Sequence, residues 1–338
     1  MTATGSETVT TIRSFRDEDE VEVLELLVSA MGHGSLGGRT REFFAWKHLD
    51  NPFGRSLLLV AEHDDRIVGL RAFMRWSFRV NGRLIPAVRA VDTATHPDYQ
   101  GQGVFSKLTL AAVEELSNEA DFVFNTPNDK SRPGYLKMGW RVVGDLPVRV
   151  RVRRPARFVR GLRDLRRGAI AVGTEPRIDA PTASRSLTDE VALTDLIQSS
   201  THSTLLSTAH TAETLMWRYG RAPQLDYRAV GDLHTGLAIF RVRPRGPLWE
   251  TTIAEVLVPD EDPGAIRSLL RRVMGAASVD HLTCLMPPGK SAARSAVRAG
   301  FFRSPLGMTL TARPLRHGPV DPLDMNSWAL ALGDVEVF

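Results

Sequence analysis

Hydrophobic and polar positions along the first half of the chain change period several times, and each change marks an element. Residues 9–15 alternate and predict a strand. Asp17, Glu18, Asp19 and Glu20 then open a helix, where negative charge suits the positive end of the macrodipole, and Val21, Leu24, Leu27 and Val28 form its core stripe. Residues 31–38 read as a glycine-rich loop carrying His33, and 43–47 continue a helix that Asn51-Pro52 ends. Residues 57–61 and 67–75 predict a strand pair joined by Asp64-Asp65, and 76–80 run on from it. Asn81-Gly82 is a two-residue hairpin signal that leads into a strand over 85–95, with β-branched Val91, Thr93 and Thr95. After a polar loop the period becomes helical at Val104, Leu108, Ala112 and Leu116. A short apolar strand over 121–128, a short helix around Tyr135 and a last strand over 148–152 follow. This order predicts an α/β fold in α+β layers, with helices flanking a mixed, mainly antiparallel sheet.

The second half echoes the first. Asp189-Glu190-Val191 repeats Asp19-Glu20-Val21 at a shift of 170 residues, and Trp217-Arg218 with Pro223 repeats Trp46-Lys47 with Pro52 at a shift of 171. Arg298-x-Gly300-Phe301 repeats Lys137-x-Gly139-Trp140 at a shift of 161. Ordered echoes at a near-constant shift predict a duplicated domain. The division expected is 1–154 for the first copy, 155–180 for an arginine-rich linker, and 181–338 for the second copy and a C-terminal tail.

Length and composition add limits. A chain of 338 residues suits two domains, and 43% apolar with 24% charged residues is ordinary for globular proteins. Cys284 is the single cysteine, so no disulfide framework and no cysteine metal site can form, and its apolar neighbours predict a buried structural thiol. No His, Asp and Glu cluster in the sequence predicts a metal. No apolar run is long enough to span a membrane, and residues 1–7 lack a signal-peptide core, so a cytoplasmic protein without a membrane partner is expected. The net charge is +4, but nine arginines crowd residues 149–167. They predict a solvated strand edge and linker helix, or else a basic surface for RNA, an anionic carrier or membrane phosphates. Phe158 alone interleaves the linker arginines, so no stacking platform for nucleic acid is expected.

Candidate chemistry lies where the 85–95 strand meets the next helix. Gln100-Gly101-Gln102-Gly103 is a short loop whose glycines bring free backbone amides, at a helix N-terminus, close to an anion. No lysine follows as in GxxxxGK[ST], and GxGxxG is not completed, because Val104, Phe105 and Ser106 follow Gly103. The loop instead resembles motif A of the GNAT acetyltransferases, Gln/Arg-x-x-Gly-x-Gly/Ala, with Gln100 and Gly103 in place and Phe105 where a small residue is usual. Tyr135, Lys137, Gly139 and Trp140 are similar to the same superfamily's Tyr-x-Lys-x-Gly-Phe, with Trp for Phe. The resemblance runs from residue 9 to about residue 152.

That resemblance implies two GNAT-like domains and acetyl-CoA, or another acyl-CoA, as co-substrate, with a small-molecule amine as acceptor and direct N-acyl transfer as the reaction. It implies pyrophosphate contacts at Gln100, Gly101, Gln102, Gly103, Val104 and Phe105, and pantetheine contacts at Thr93, Ala94, Thr95 and Asn125. Tyr135 takes the place of the acid that protonates the leaving thiolate. Asp92, on the same strand, is the candidate base. The C-terminus resembles the tails that, in some multidomain members, bring a carboxylate to the acceptor amine, which adds Phe338 as a catalytic candidate. Trp328, Leu330 and Leu332 alternate and predict a closing strand before it. The second copy lacks these parts. Pro259 to Gly264 carries three carboxylates in place of the glycine loop, and Ala296 stands at the tyrosine position. Two other classes stay open, an aminoacyl-tRNA-dependent transferase on a tandem GNAT fold and a non-catalytic acyl-CoA-binding protein. The layout is also compatible with a homo-oligomer.

Overall fold

The computed structural model describes residues 10–31, 40–168, 173–201, 204–286, 290–304 and 307–335. His33 and Phe338 lie outside them. The first half contributes strands β1 (Thr11–Ser14), β2 (Leu57–His63), β3 (Arg66–Val80), β4 (Arg83–Thr95), β5 (Phe122–Asn125), β6 (Arg141–Leu146) and β7 (Arg149–Val152). Its helices are α1 (Glu20–Met31), α2 (Arg41–Phe44), α3 (Val104–Leu116), α4 (Arg132–Lys137) and α5 (Pro155–Arg166). The second half adds β8 (Leu206–Thr208), β9 (Tyr227–Asp232), β10 (Gly236–Arg245), β11 (Leu248–Leu257), β12 (His281–Cys284), β13 (Phe302–Arg303), β14 (Met308–Pro314) and β15 (Trp328–Ala329). Its helices are α6 (Ala183–Ser186), α7 (Glu190–Ser200), α8 (Ala212–Leu215), α9 (Pro263–Ala276), α10 (Lys290–Arg298) and α11 (Leu332–Val335). No helix of the described residues is long and apolar enough to cross a membrane.

Two mixed, mainly antiparallel sheets flanked by helices result, which is the fold class the sequence pattern predicts. The first sheet runs β1-β2-β3-β4-β5-β14-β6, with β8 on the far end of β3 and β15 on β8. The second runs β13-β7-β12-β11-β10-β9. Each has one parallel pair in its long path, β4 with β5 and β11 with β12. The halves exchange strands. β7 leaves the first half to sit between β12 and β13, and β14 leaves the second to sit between β5 and β6. Pro147 breaks the chain between β6 and β7, where a missing N–H ends pairing, and the strand that follows joins the other sheet. Neither sheet is therefore built from one contiguous half, and the expected boundary after residue 154 falls beyond a strand that already belongs to the second sheet.

The repeated Trp–Pro spacing has a structural counterpart. α2 runs into a π-helical turn, Ala45–Leu49, and α8 into a matching one, Met216–Gly220. The Trp46 and Trp217 rings from these turns stack at 5.1 Å with an interplanar angle of 26°. Each indole N–H donates to the other's backbone carbonyl, both at 2.9 Å. Reciprocal contacts of this kind are those of a local two-fold axis. Around it lies the core shared by both halves, with Phe78, Phe122 and Phe124 packed on Trp328.

Residues 66–80 form one strand of 15 residues, with 76–80 running on from 67–75 as expected. Two local expectations are revised. Asp19 caps its turn and holds Arg13 through two oxygens, at 2.7 and 2.9 Å, so it is a structural anchor as well as a helix-end charge. The closing strand stops at Ala329, because Asp334 accepts from the Ala331 amide at 2.7 Å and folds Leu332–Val335 into a helical turn.

Candidate active site

The glycine loop sits where α3 meets the edge of β4. Gly101 and Gly103 have φ of +77° and +80°, and a Cβ on either would meet nothing within 4 Å, so the loop backbone is left-handed and open to a ligand. Gly103 caps α3, and the amides of Gly101 to Ser106 make no backbone hydrogen bond among the described residues. These are the free donors of a helix N-terminus. α3 is held against β3 at Gly69, where an added Cβ would stand 2.7 Å from Val104 Cγ1. Gln100 and Gln102 turn back onto the chain, donating to the Thr95 and Asp98 carbonyls at 3.3 and 2.9 Å.

The neighbouring strands part here. β4 and β5 pair from Ala87–Phe122 to Arg89–Phe124 and no further. One step on, the β3–β4 register passes from Phe73↔Ala90 to Arg71↔Thr93, so Val91 and Asp92 both oppose Ala72. Such a bulge bends a strand and ends regular pairing. The β5-facing backbone of β4 from Ala90 to Thr95 is thus free of strand partners. Ala94 turns its side chain into the α1 core, leaving only its backbone to this edge. Asn125 ends β5, and its side-chain oxygen already accepts from Thr311 Oγ1 at 2.5 Å.

Tyr135 on α4 stands beside this opening and is 4% exposed. Phe105 packs edge-on against it at 5.5 Å, and Trp140 lies at 5.2 Å. The unusual residue of the loop is therefore a wall of the tyrosine pocket. Arg71 completes the pocket. It is fully buried, donates to Tyr135 Oη at 2.9 Å and to the Val91 carbonyl at 3.1 Å, and lies 4.5 Å from the Phe73 ring centroid. It makes no ion pair among the described residues, and its Nε has no hydrogen-bond partner. Thr93 is its cross-strand neighbour.

Asp92 lies apart from this group. Its Oδ2 accepts from Lys47 Nζ at 2.8 Å and is 2.9 Å from His48 Nε2, while His48 Nδ1 meets Ser56 Oγ at 2.9 Å. Burial alone would raise the carboxyl pKa, but the Lys47 ammonium and the His48 contact outweigh it and hold Asp92 well below the usual carboxylate range. Burial pushes His48 down, so its ring is neutral. Arg89, the last β4 residue paired to β5, donates to the carbonyls of Asp334 and Val335 at 2.7 and 2.5 Å, which fixes α11 beside the splay.

The second half keeps the framework without the loop. β10 and β11 carry a bulge between Ile239↔Glu255 and Phe240↔Ile253. In place of the glycine loop, Asp260 and Glu261 take φ of +51° and +50°, and Asp262 caps α9 by accepting from the Ala265 amide at 2.6 Å. The acidic loop thus serves its own helix.

The structure brings together Gly101, Gly103, Phe105, Tyr135 and Thr93, and it separates Asp92 from them. Arg71 and Arg89 were not singled out from sequence, and Lys47 was named there only as part of the Trp–Pro repeat. Their one signal was a basic residue in an otherwise apolar strand or helix face.

A glycine loop at a helix N-terminus lies beside a bulged, splayed strand pair with a buried tyrosine at its end, an arrangement whose free amides can accept an anionic group. Residues 11–143 match the acetyltransferase (GNAT) domain family. No curated protein sequence matches the chain significantly. Among solved structures, it is similar to a probable N-acyltransferase from Enterococcus faecalis V583, with 14% identity, 91% of this chain and 73% of that one covered, and a TM-score of 0.61. It is also similar to GCN5-related N-acetyltransferases from Kribbella flavida (16% identity, 91% and 71% covered, TM-score 0.58) and Anabaena variabilis (14%, 91% and 73%, TM-score 0.57). At these identities the likeness is one of fold.

Proposed function

We propose that the chain is an acyl-CoA-dependent N-acyltransferase that moves an acetyl group from acetyl-CoA to an amine of a small molecule by direct transfer. One observation carries this reading: the amide-lined loop at α3 and the opened β4–β5 edge converge on Tyr135. The open space at Gly101 and Gly103 fits a pyrophosphate on the loop amides, from Gly101 to Phe105. The free backbone of Thr93, Ala94 and Thr95, with Asn125 opposite, suits the amides of a pantetheine arm. When bound, acyl-CoA supplies an activated carbonyl and a thiolate leaving group.

Tyr135 donates its phenolic proton to the departing sulfur. Arg71 already donates to the phenol oxygen, so the phenolic proton points away from Arg71, and the buried cation faces the charge that grows on sulfur. Asp92, paired to Lys47, is a weak base, and in this reading it fixes the bulge. Arg89 holds Asp334 and Val335 against β4, and the segment ending in Phe338, which lies outside the described residues, is the place proposed to take the amine's proton by its resemblance to the tails of multidomain members. The test is CoA release from acetyl-CoA across a panel of small amines, with mass spectrometry of the products. Acetylated product with any amine supports the reading. Tight acetyl-CoA binding without release leaves a binding protein instead.

A further inference from the structure

Away from the glycine loop, a cavity of about 470 Å3 opens between α7, β8 and the hairpin turn that joins β3 to β4. Its lining includes Arg79, Ile197, Gln198, Thr201, Thr208 and His210. Arg79 lies eight residues along β3 from Arg71, so the cavity is roughly 26 Å from the tyrosine pocket at ~3.3 Å per residue. The volume is that of a small-molecule site.

The charge of this lining is one-sided. Two basic side chains line it and no carboxylate does. The Arg79 side chain is half-buried and makes no ion pair or hydrogen bond among the described residues, and neither does the Gln198 amide. His210 stands with Nε2 3.3 Å from Glu255 Oε2, while Nδ1, on the other edge of the ring, is shielded and has no partner. Burial works against a charged ring, but the bond to Glu255 and the charges of Glu255 and Asp334 outweigh it and raise its pKa. Those two carboxylates border an adjoining, smaller cavity behind the ring, where Asp334 is tied to Thr208 Oγ1 at 2.6 Å and to the Ala331 amide. A guanidinium and an amide without acceptors thus share one opening with a histidine whose second nitrogen has none.

We propose that this cavity binds a small molecule with an anionic group, a carboxylate or a phosphate, on a compact apolar body. Arg79 offers a planar pair of donors that matches either group, Gln198 and Thr201 flank it, and Ile197 with the threonine methyls takes the apolar part. The site is separate from the acyl-donor loop, so the proposal stands whether or not the chain transfers acyl groups.

The test uses the full chain with benzoate, inorganic phosphate and benzyl alcohol as probes, read by calorimetry with and without saturating CoA. Benzoate or phosphate should bind, the neutral alcohol should not compete, and CoA should leave the affinity unchanged. Arg79→Gln should weaken binding at least tenfold, the loss of one charge-assisted contact. Gln198→Glu, which places a carboxylate on the rim of an exposed residue, should weaken it similarly, and neither variant should lower the melting temperature. Phosphate bound in place of benzoate, with the same loss in Arg79→Gln, would support the site and name its group. Equal affinity in wild type and both variants, displacement by CoA, or no binding of either anion would overturn it.

Discussion

Gly103→Asp tests whether the first half alone holds the acyl donor. The substitution is sterically open, since an added Cβ meets nothing within 4 Å. Its cost has two parts. The φ of +80° asks an L residue to enter left-handed space, at about 1–2 kcal/mol of stability and less for aspartate. The new carboxylate also stands beside the bound pyrophosphate. At about 5 Å, each pair of charges repels by ~0.8 kcal/mol in water and ~3 kcal/mol near a protein surface. With two phosphate charges, an intermediate value of about 3–4 kcal/mol weakens CoA by roughly 10²–10³-fold. Gly103→Ala carries the backbone strain without the charge and should stay within about tenfold of wild type. Gly264→Asp, in the first turn of α9 with no positive φ, should leave CoA affinity unchanged. Isothermal titration with CoA reads all three. If the alanine loses as much as the aspartate, charge is not the cause. If Gly264→Asp loses as much as Gly103→Asp, the second half binds the donor too.

Four further outcomes are expected. Tyr135→Phe should lower kcat about 10²-fold with little change in CoA affinity, and an unchanged kcat with chemistry rate-limiting would remove Tyr135 from the reaction. Deleting residues 336–338 leaves the Arg89 contacts intact, so melting and CoA binding should hold while transfer to the amine falls sharply; wild-type turnover would refute the role given to that segment. Cys284 is fully buried, and burial pushes its thiol up to about 12, so a thiol reagent should label it only after unfolding. His48 has its pKa lowered by burial, so the stability it contributes is present above its unfolded value of about 6.5 and is lost as pH falls below that. Urea melts at about pH 7 and about pH 5 should show a shallower pH dependence for His48→Gln than for wild type; equal slopes would mean that His48 is not buried neutral.

The parts of the site legible in sequence were those set by backbone chemistry. Glycines at 101 and 103, a strand before them and a helical period after them fix a left-handed loop at a helix start, and the structure has one. Tyr135 was singled out through its resemblance to the superfamily's Tyr-x-Lys-x-Gly-Phe pattern, and the structure places it, buried, against Phe105 of the loop. The parts that were hidden depend on register across strands. Whether Arg71 faces solvent or Tyr135 turns on which residues oppose the bulge, and the β3–β4 pattern gives no count of that. Asp92 was placed on the right strand, but its pairing with Lys47 joins residues 45 positions apart and could not be seen along the chain. The Trp46 and Trp217 echo was legible as a repeat, while the exchange of β7 and β14 was not, since a short alternating strand reads alike in either sheet.

That exchange governs how the chain comes off the ribosome. β5 and β6 are made early, yet the strand that lies between them ends at Pro314, so for most of synthesis the first sheet has a gap flanked by the bare edges of Phe122–Asn125 and Arg141–Leu146. β7 waits likewise for β12 and β13. Bare apolar edges recruit other chains, and pairings this distant in sequence form slowly. The two halves are therefore a single unit of folding, and the liability of the nascent protein is the intermolecular pairing of an unfilled gap.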